Sequence, residues 1–488
     1  APDHQMNISR SVRAHRAIAS LATLVMLAAL PVLTAVAQDG AEPGFCPINL
    51  APVTPGTCTN GGAADAGGAP SPYLPDTAVG NPISLVTGDK RQSETDLDLD
   101  GAPLGFRRHY ASSGADDNVG LGHGWRHSFL VQLSATADGG RRIVDSTGRY
   151  LYFARSATGR APAPSGTGVD GTPGIWTSRL ASDGYLLERD GGSVWVVPDG
   201  RRLSFRGSYL VRIDWPDQRA LTFTYRARRL DSATDERGRR LAFEYTPGQL
   251  GLPAFDPTPH RAHAGHLSAV LLPDGRRIEY DYDDRQNLTR ARFADGTARE
   301  YHYEDALWPS HLTGVTERTG VRSSSWRYDE RGRAVFSSRA EGIEQITVAI
   351  EAPEDTPGGR VGDEGRTVVT DGDGAESVYR WRRDPRSGAS LLIEARGAGC
   401  PSCPPTGRAY AYDADGRLIE ATRLDADGRT LGGRRHAYDE RGRIVRVSDI
   451  VRAADGGTDE HPVERLDYDG DSSRPSRVIR PSVAPDGD

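Results

Sequence analysis

Lysine is all but missing from this chain: Lys90 is the only one among 488 residues, and nearly every other basic side chain is arginine. No glycine-rich phosphate loop precedes Lys90, which excludes a P-loop enzyme, and a single lysine argues against Schiff-base chemistry. Cysteine (4) and methionine (2) are scarce, and apolar residues make up 37% of the chain. Beyond Val36 no run is apolar and long enough to span a bilayer. No strand–turn–helix nucleophile elbow of the Gly-x-Ser-x-Gly kind is found. The arginines alternate with Asp and Glu, and the formal net charge is −7. Such a mixed-sign surface is not the basic stripe of a nucleic-acid binder. The expectation is a protein without catalytic site, cofactor, metal or nucleic-acid partner.

Glycine (57) and proline (32) are plentiful, as in a turn-dense all-β chain. In Arg277-Ile278-Glu279-Tyr280-Asp281-Tyr282-Asp283, the Ile and Tyr residues fall on one face, and Arg277, Glu279, Asp281 and Asp283 on the other. Strict alternation of this kind marks a half-buried strand. Leu221–Tyr225 and Leu241–Tyr245 repeat it. Between such strands lie turns such as Asp329-Glu330-Arg331-Gly332-Arg333. There the Asp carboxylate accepts backbone N–H bonds and the Gly supplies the positive φ that closes a hairpin. Tyr280 and Tyr301 stand 21 residues apart, Tyr412 and Tyr438 26 apart. Periods in this range mark a repeat array.

Arg10, Arg13 and Arg16 precede an apolar stretch from Ala17 to Val36 that ends in Ala35-Val36-Ala37. This is the pattern of a secretory signal (1–37) cleaved after Ala37, giving an exported chain free of the membrane. Residues 38–78 read as a disordered Pro/Gly/Ala-rich linker. A small β-rich N-terminal domain is expected over 79–144. Within it, Thr95–Asp100 reads as a strand with leucines on its dry face and acids on its wet face. The repeat array is expected over 145–488, with a loop at 353–366 and a disordered tail at 470–488.

Four segments of the N-terminal domain carry a resemblance. They are Gly80-Asn81-Pro82-Ile83 leading to Thr87-Gly88, Asp96-Leu97-Asp98-Leu99-Asp100-Gly101, Arg108-His109-Tyr110-Ala111-Ser112, and Gly122-His123-Gly124-Trp125-Arg126-His127-Ser128. In this order they resemble the N-terminal domain of bacterial Rhs (YD-repeat) proteins. Two later motifs match the Tyr-Asp-x-x-Gly-Arg-[Leu/Ile] repeat fully: Tyr412, Asp413, Gly416, Arg417, Leu418 and Tyr438, Asp439, Gly442, Arg443, Ile444. Tyr328, Asp329, Gly332 and Arg333 match until Ala334, whereas Tyr282-Asp283 is followed by Gln286-Asn287, of which Asn287 is able to take the left-handed position. The resemblance implies an antiparallel hairpin array, wound as a spiralling sheet. In that family the sheet forms a shell that commonly encloses a C-terminal toxin. The family's closing core and a cargo domain are not recognisable before Asp488, so an open or partial shell is expected, with a toxin domain or further Rhs segments as partners in longer products.

Other constellations have plainer readings. Cys400-Pro401-Ser402-Cys403 is followed by two prolines rather than by a helix, which favours a local disulfide over a redox or zinc site. Cys46 and Cys58 are the other candidate pair. Asp96, Asp98 and Asp100 imitate the start of a calcium loop, but Arg107 stands where the bidentate Glu belongs. His123 and His127 are interleaved with Gly122, Gly124 and Trp125 and read as structural. His260, His263 and His266 lie in a Pro-rich insertion and read as solvated. The rival functional reading is a cell-surface module binding glycans through exposed Trp326, Tyr379 and Trp381.

Overall fold

The computed structural model describes residues 77–480, except 100–102, 156–173, 179–182, 190, 248–264, 356–357, 361, 385–388, 441, 454–455 and 470–474. Its regular elements are strands, with short 3-10 turns such as Ser112–Gly114. As expected from the alternation, Ile278 and Tyr280 are buried while Arg277 is exposed. Twenty-eight strands, from Gln132–Ala135 to Arg477–Ile479, form one antiparallel sheet. Each strand pairs with its neighbour in sequence. The sheet also meets itself, where Tyr209 lies opposite Gln132 and Leu133 N–H reaches Ser208 O. The eight strands from Gln132–Ala135 to Tyr209–Asp214 thus close a ring, and the later hairpins run on from it. Leu133, Ile143, Phe153, Trp176, Leu186, Trp195, Phe205 and Leu210, all from ring strands, belong to the main core.

The repeat motif explains the curl. At Tyr225, Tyr245, Tyr282, Tyr328, Tyr412 and Tyr438 the register with the following strand slips by one residue. Such bulges bend and twist a strand. Each of these tyrosines also donates its hydroxyl backwards to a backbone carbonyl. Tyr282 reaches Leu267 O, Tyr328 Leu312 O, Tyr412 Leu392 O and Tyr438 Leu418 O, all at 2.7 Å. Tyr225 and Tyr245 do the same to Leu210 and Leu230. The Asp that follows closes the turn. Asp413 Oδ1 accepts N–H bonds from Asp415 and Arg417, and Arg417 Nε donates to Asp413 Oδ2 at 2.6 Å. Asp329 serves its turn in the same way. Gly332, Gly416 and Gly442 take φ of 75°, 78° and 75°.

Tyr282–Leu288 corrects one expectation. The left-handed residue is Gln286 (φ 68°), in the glycine place, and not Asn287. The turn's hydrogen bonds decide this: Gln286 N–H bonds Asp283 O, and Asp283 N–H bonds Asn287 O. Asn287 instead replaces the arginine, donating Nδ2 to Asp283 Oδ2 at 3.0 Å.

The large sheet begins at Gln132, inside the span 79–144 read as the N-terminal domain. What precedes it is a three-stranded sheet (Arg91–Leu97, Phe106–Ala111, Trp125–His127) and the small pair Ala78–Val79 with Ile83–Ser84. Thr77 and Ala78, assigned to the linker, are buried in this body. Glu364–Asp371 is a strand that starts within 353–366. Arg477–Ile479, inside the expected tail, pairs with Arg465–Asp467. The signal segment, the rest of the linker, Cys46, Cys58, His260 and His263 lie outside the described residues.

Candidate functional site: the seat of the N-terminal domain

The three-stranded sheet lies against the dry face of the large one. Phe106 packs on Phe243 with ring centroids 5.8 Å apart, Phe129 on Phe223 at 5.3 Å, and Trp125 on Tyr301 at 4.9 Å. Farther on, Trp326 Nε1 donates to Asn81 O at 2.8 Å, Thr367 Oγ1 to Leu85 O at 2.5 Å, and Gly80 N–H to Ser402 O at 3.0 Å. The domain therefore touches the hairpins all the way from Phe223 to the Cys400–Cys403 loop, whose two sulfurs are bonded.

The surprise is how polar this seat is. Between Lys90 and Asp96 every even-numbered residue points into it, so Lys90, Glu94 and Asp96 are all buried. The reading of Asp96 as a wet-face acid is thereby corrected. A register shift between Thr95 and Leu97 reverses the alternation, so Asp96 faces in before the bulge and Leu97 packs against the core after it. Asp96 is also spent as a ligand: Arg108 donates Nε to Oδ2 at 2.5 Å and Nη2 to Oδ1 at 2.8 Å. Tyr280 adds a third bond at 2.7 Å. Arg108 Nη2 also donates to Tyr301 Oη at 2.6 Å. Arg108 Nη1 meets no acceptor; the guanidinium lies among the rings of Trp125, Tyr280 and Tyr301, at 5.0, 5.3 and 5.1 Å. Burial opposes the Arg108 charge, yet Asp96 and the two tyrosines hold its pKa well above the ordinary value.

Glu94 pairs with Arg299, which also holds Glu317. Gln92 bridges the two ends of this row, donating to Glu94 Oε1 and accepting from Lys90 Nζ, both at 2.9 Å. Lys90 Nζ also reaches Arg91 O and sits 3.9 Å from the centre of a Trp326 ring. Burial pulls the Lys90 pKa well below the usual lysine range, against the pull of Asp89. Tyr280, Tyr282 and Tyr328 are pushed up by burial, which keeps them un-ionised donors. These groups are paired with one another in an ordered interface, an arrangement that fixes position.

The remaining sequence candidates fall into place around this seat. His127 stacks on Phe243 and packs on Phe106 and Phe129, with burial taking its pKa down to about 3. His123 Nδ1 bonds Ala115 O at 2.9 Å. His266, read above as solvated, is instead half-buried, held between Asn118 and the Tyr282 ring where the N-terminal domain meets the sheet. Trp326, Tyr379 and Trp381, proposed above as exposed glycan platforms, are only 2%, 0% and 1% exposed. They are wall-filling residues; Trp381 covers Gly365 across the strand pair, where a Cβ would come within 2.4 Å of the indole.

Glu94 was not singled out from sequence, and neither Lys90 nor Arg108 was read there as a buried docking residue. One signal did point to the seat. The two imperfect repeat motifs are the two that the N-terminal domain touches. Ala334 N–H bonds Gly88 O, and a Cβ on Gly88 would lie 2.5 Å from Arg333 Cβ. A Cβ on Gly122 would lie 2.7 Å from Leu288 N.

Residues 80–153 match the model of a domain of unknown function, DUF6531. Residues 263–307 and 412–458 match the RHS repeat. No match is found among curated proteins. Among solved structures, the chain is similar to TcdB2-TccC3 without its hypervariable C-terminal region (11% identity, TM-score 0.31, 82% of this chain and 22% of that one). It is also similar to TcdB2-TccC3-Cdc42 (12% identity, TM-score 0.28, 81% of this chain and 24% of that one). The chain spans about a quarter of the length of these solved chains. With its bulged Tyr-Asp hairpins strung into one sheet, the chain carries RHS repeats behind a DUF6531 domain, in the order the sequence resemblance implies.

Proposed function

We propose that the chain is an exported, non-catalytic wall segment, part of an enclosure for a toxic domain encoded farther along the same product. The observation that carries this reading is the continuous curled sheet with its own N-terminal domain seated on the dry face. A curled sheet with one apolar face separates two volumes, and side chains tied to one another across that face serve position rather than turnover. No helix among the described residues is long and apolar enough to cross a membrane, which is compatible with export directed by residues 1–37.

The test is to express the complete natural product and digest it under native conditions. A segment beyond the repeats that survives protease, and becomes sensitive when Trp125→Ala or Arg108→Met loosens the seat, supports an enclosure. Equal sensitivity with and without the intact seat rejects it. Export is checked separately: amino-terminal sequencing of secreted protein is expected to begin at Gln38.

A further inference from the structure

We propose that the seat of the N-terminal domain is an acid-released latch, in which His266 and His127 must stay neutral for the domain to remain docked. The inference rests on the docking geometry, not on the enclosure reading.

The loop at Asn118–Gly124 meets the sheet at His266. The orientation of the Asn118 amide is fixed by its other partners. Its Oδ1 accepts Gly120 N–H at 3.0 Å, and its Nδ2 faces Gln286 Oε1 at 3.4 Å and Gln286 O at 3.5 Å. That Nδ2, a donor only, stands 3.0 Å from His266 Nε2. His266 Nε2 must therefore be a bare acceptor, with the ring proton on Nδ1. Protonation at Nε2 would set N–H against N–H at the point where Leu267 N–H also bonds Gly120 O at 2.8 Å.

The groups around His266 offer no compensation. From the loop comes His123 and from the sheet Arg229, and both oppose another positive charge. The Tyr282 ring, 4.5 Å away, and the Gln286 amide complete the surroundings. His127 is alike in kind: it accepts Phe129 N–H on Nδ1 at 3.3 Å and is enclosed by Phe106, Phe129 and Phe243. The charged groups acting on it, Arg126 and His109, also oppose protonation. His109 bonds Ser93 within the domain, and burial takes its pKa down to about 4 against the pull of Asp145 on the sheet, so its proton uptake on undocking adds to the same pH dependence.

Undocking returns both imidazoles to water, where they bind protons at about pH 6.5. Below that pH the undocked state binds more protons than the docked one. The docking equilibrium then weakens by about tenfold per histidine for each pH unit, until the docked state itself takes up the proton. Above pH 6.5 the latch holds in full.

Hydrogen exchange followed by mass spectrometry on the full chain, corrected for the intrinsic pH dependence of exchange, tests this at pH 7.5 and 5.0. The wild type is expected to lose protection about a hundredfold or more over 115–131 and 266–288 at pH 5.0. The strands Tyr185–Arg189, Gly192–Val196 and Arg202–Arg206, which hold no histidine, should keep theirs. In His266→Gln, whose amide oxygen can still accept from Asn118, the loss should be smaller, and in His266→Gln with His127→Phe smaller again. Should the double variant fail to fold, His266→Gln alone carries the comparison. Unchanged protection in the wild type, equal loss in the variants, or simultaneous loss in the control strands overturns the latch.

Discussion

A guanidinium with no exposed side-chain surface is costly unless its charge is matched, and Arg108 is matched on three sides. Asp96 takes two of its N–H groups, Tyr301 accepts a further bond, and aromatic faces meet the rest. Removing one member of such a pair leaves the other charge buried and alone. Arg108→Met is expected to lose about 3–5 kcal/mol in urea denaturation. Pairing it with Asp96→Leu should recover a large part of that, and a double variant no better than the single would refute the pairing argument. Lys90 behaves differently, because its folded-state pKa is depressed. Between that depressed value and the ordinary lysine value near 10.4 the unfolded chain binds more protons, so stability rises with pH across that window. Lys90→Met should abolish this alkaline gain in thermal melts. A rise of the same size in the variant would assign it to another group.

At the level of the hairpin, each repeat is a bulged strand whose tyrosine ties it to the preceding turn and whose aspartate closes its own. Tyr412→Phe and Tyr438→Phe each remove one part-buried hydrogen bond to a backbone carbonyl, at a cost of about 1 kcal/mol. The two repeats meet at Leu418, which lies opposite Tyr412 and accepts from Tyr438, so the double variant should depart from the sum. Gly416→Ala forces a side chain into φ 78° and should cost a similar amount. Much of this unit is legible in the sequence, because Tyr-Asp-x-x-Gly-Arg spells out both the turn and the direction of the ring. The bulge is less legible: a one-residue slip changes no residue type, yet it decides which face follows. That is why Asp96 looks like a solvent-facing acid and is a buried one. Gln286 misleads for a related reason, since a residue type alone suggests Asn287 for the left-handed place while the hydrogen-bond frame assigns it to its neighbour.

On the scale of the whole molecule, the seat joins what sequence would keep apart. Periodicity sees neighbouring strands, and contacts such as Asn81 with Ser337 or Arg108 with Tyr301 span hundreds of residues without leaving a periodic trace. The main core runs unbroken from Val79 to Ala395 through both the N-terminal domain and the sheet. Ile444, Val447 and Leu466, by contrast, form a small cluster of their own. Stability in a repeat array is carried by each unit and its neighbours, so separate clusters can open separately. Trp125→Ala should therefore destabilise the main body by about 3–5 kcal/mol, seen as faster hydrogen exchange at once in Phe106–Ala111, Arg277–Tyr282 and Arg322–Tyr328. Exchange in Ile444–Arg452 and Thr458–Asp467 should be faster than in the main body to begin with, and should not change in the variant. If those last hairpins slow or quicken together with Trp125, the sheet is one cooperative unit from end to end, and its final hairpins draw their stability from the seated domain.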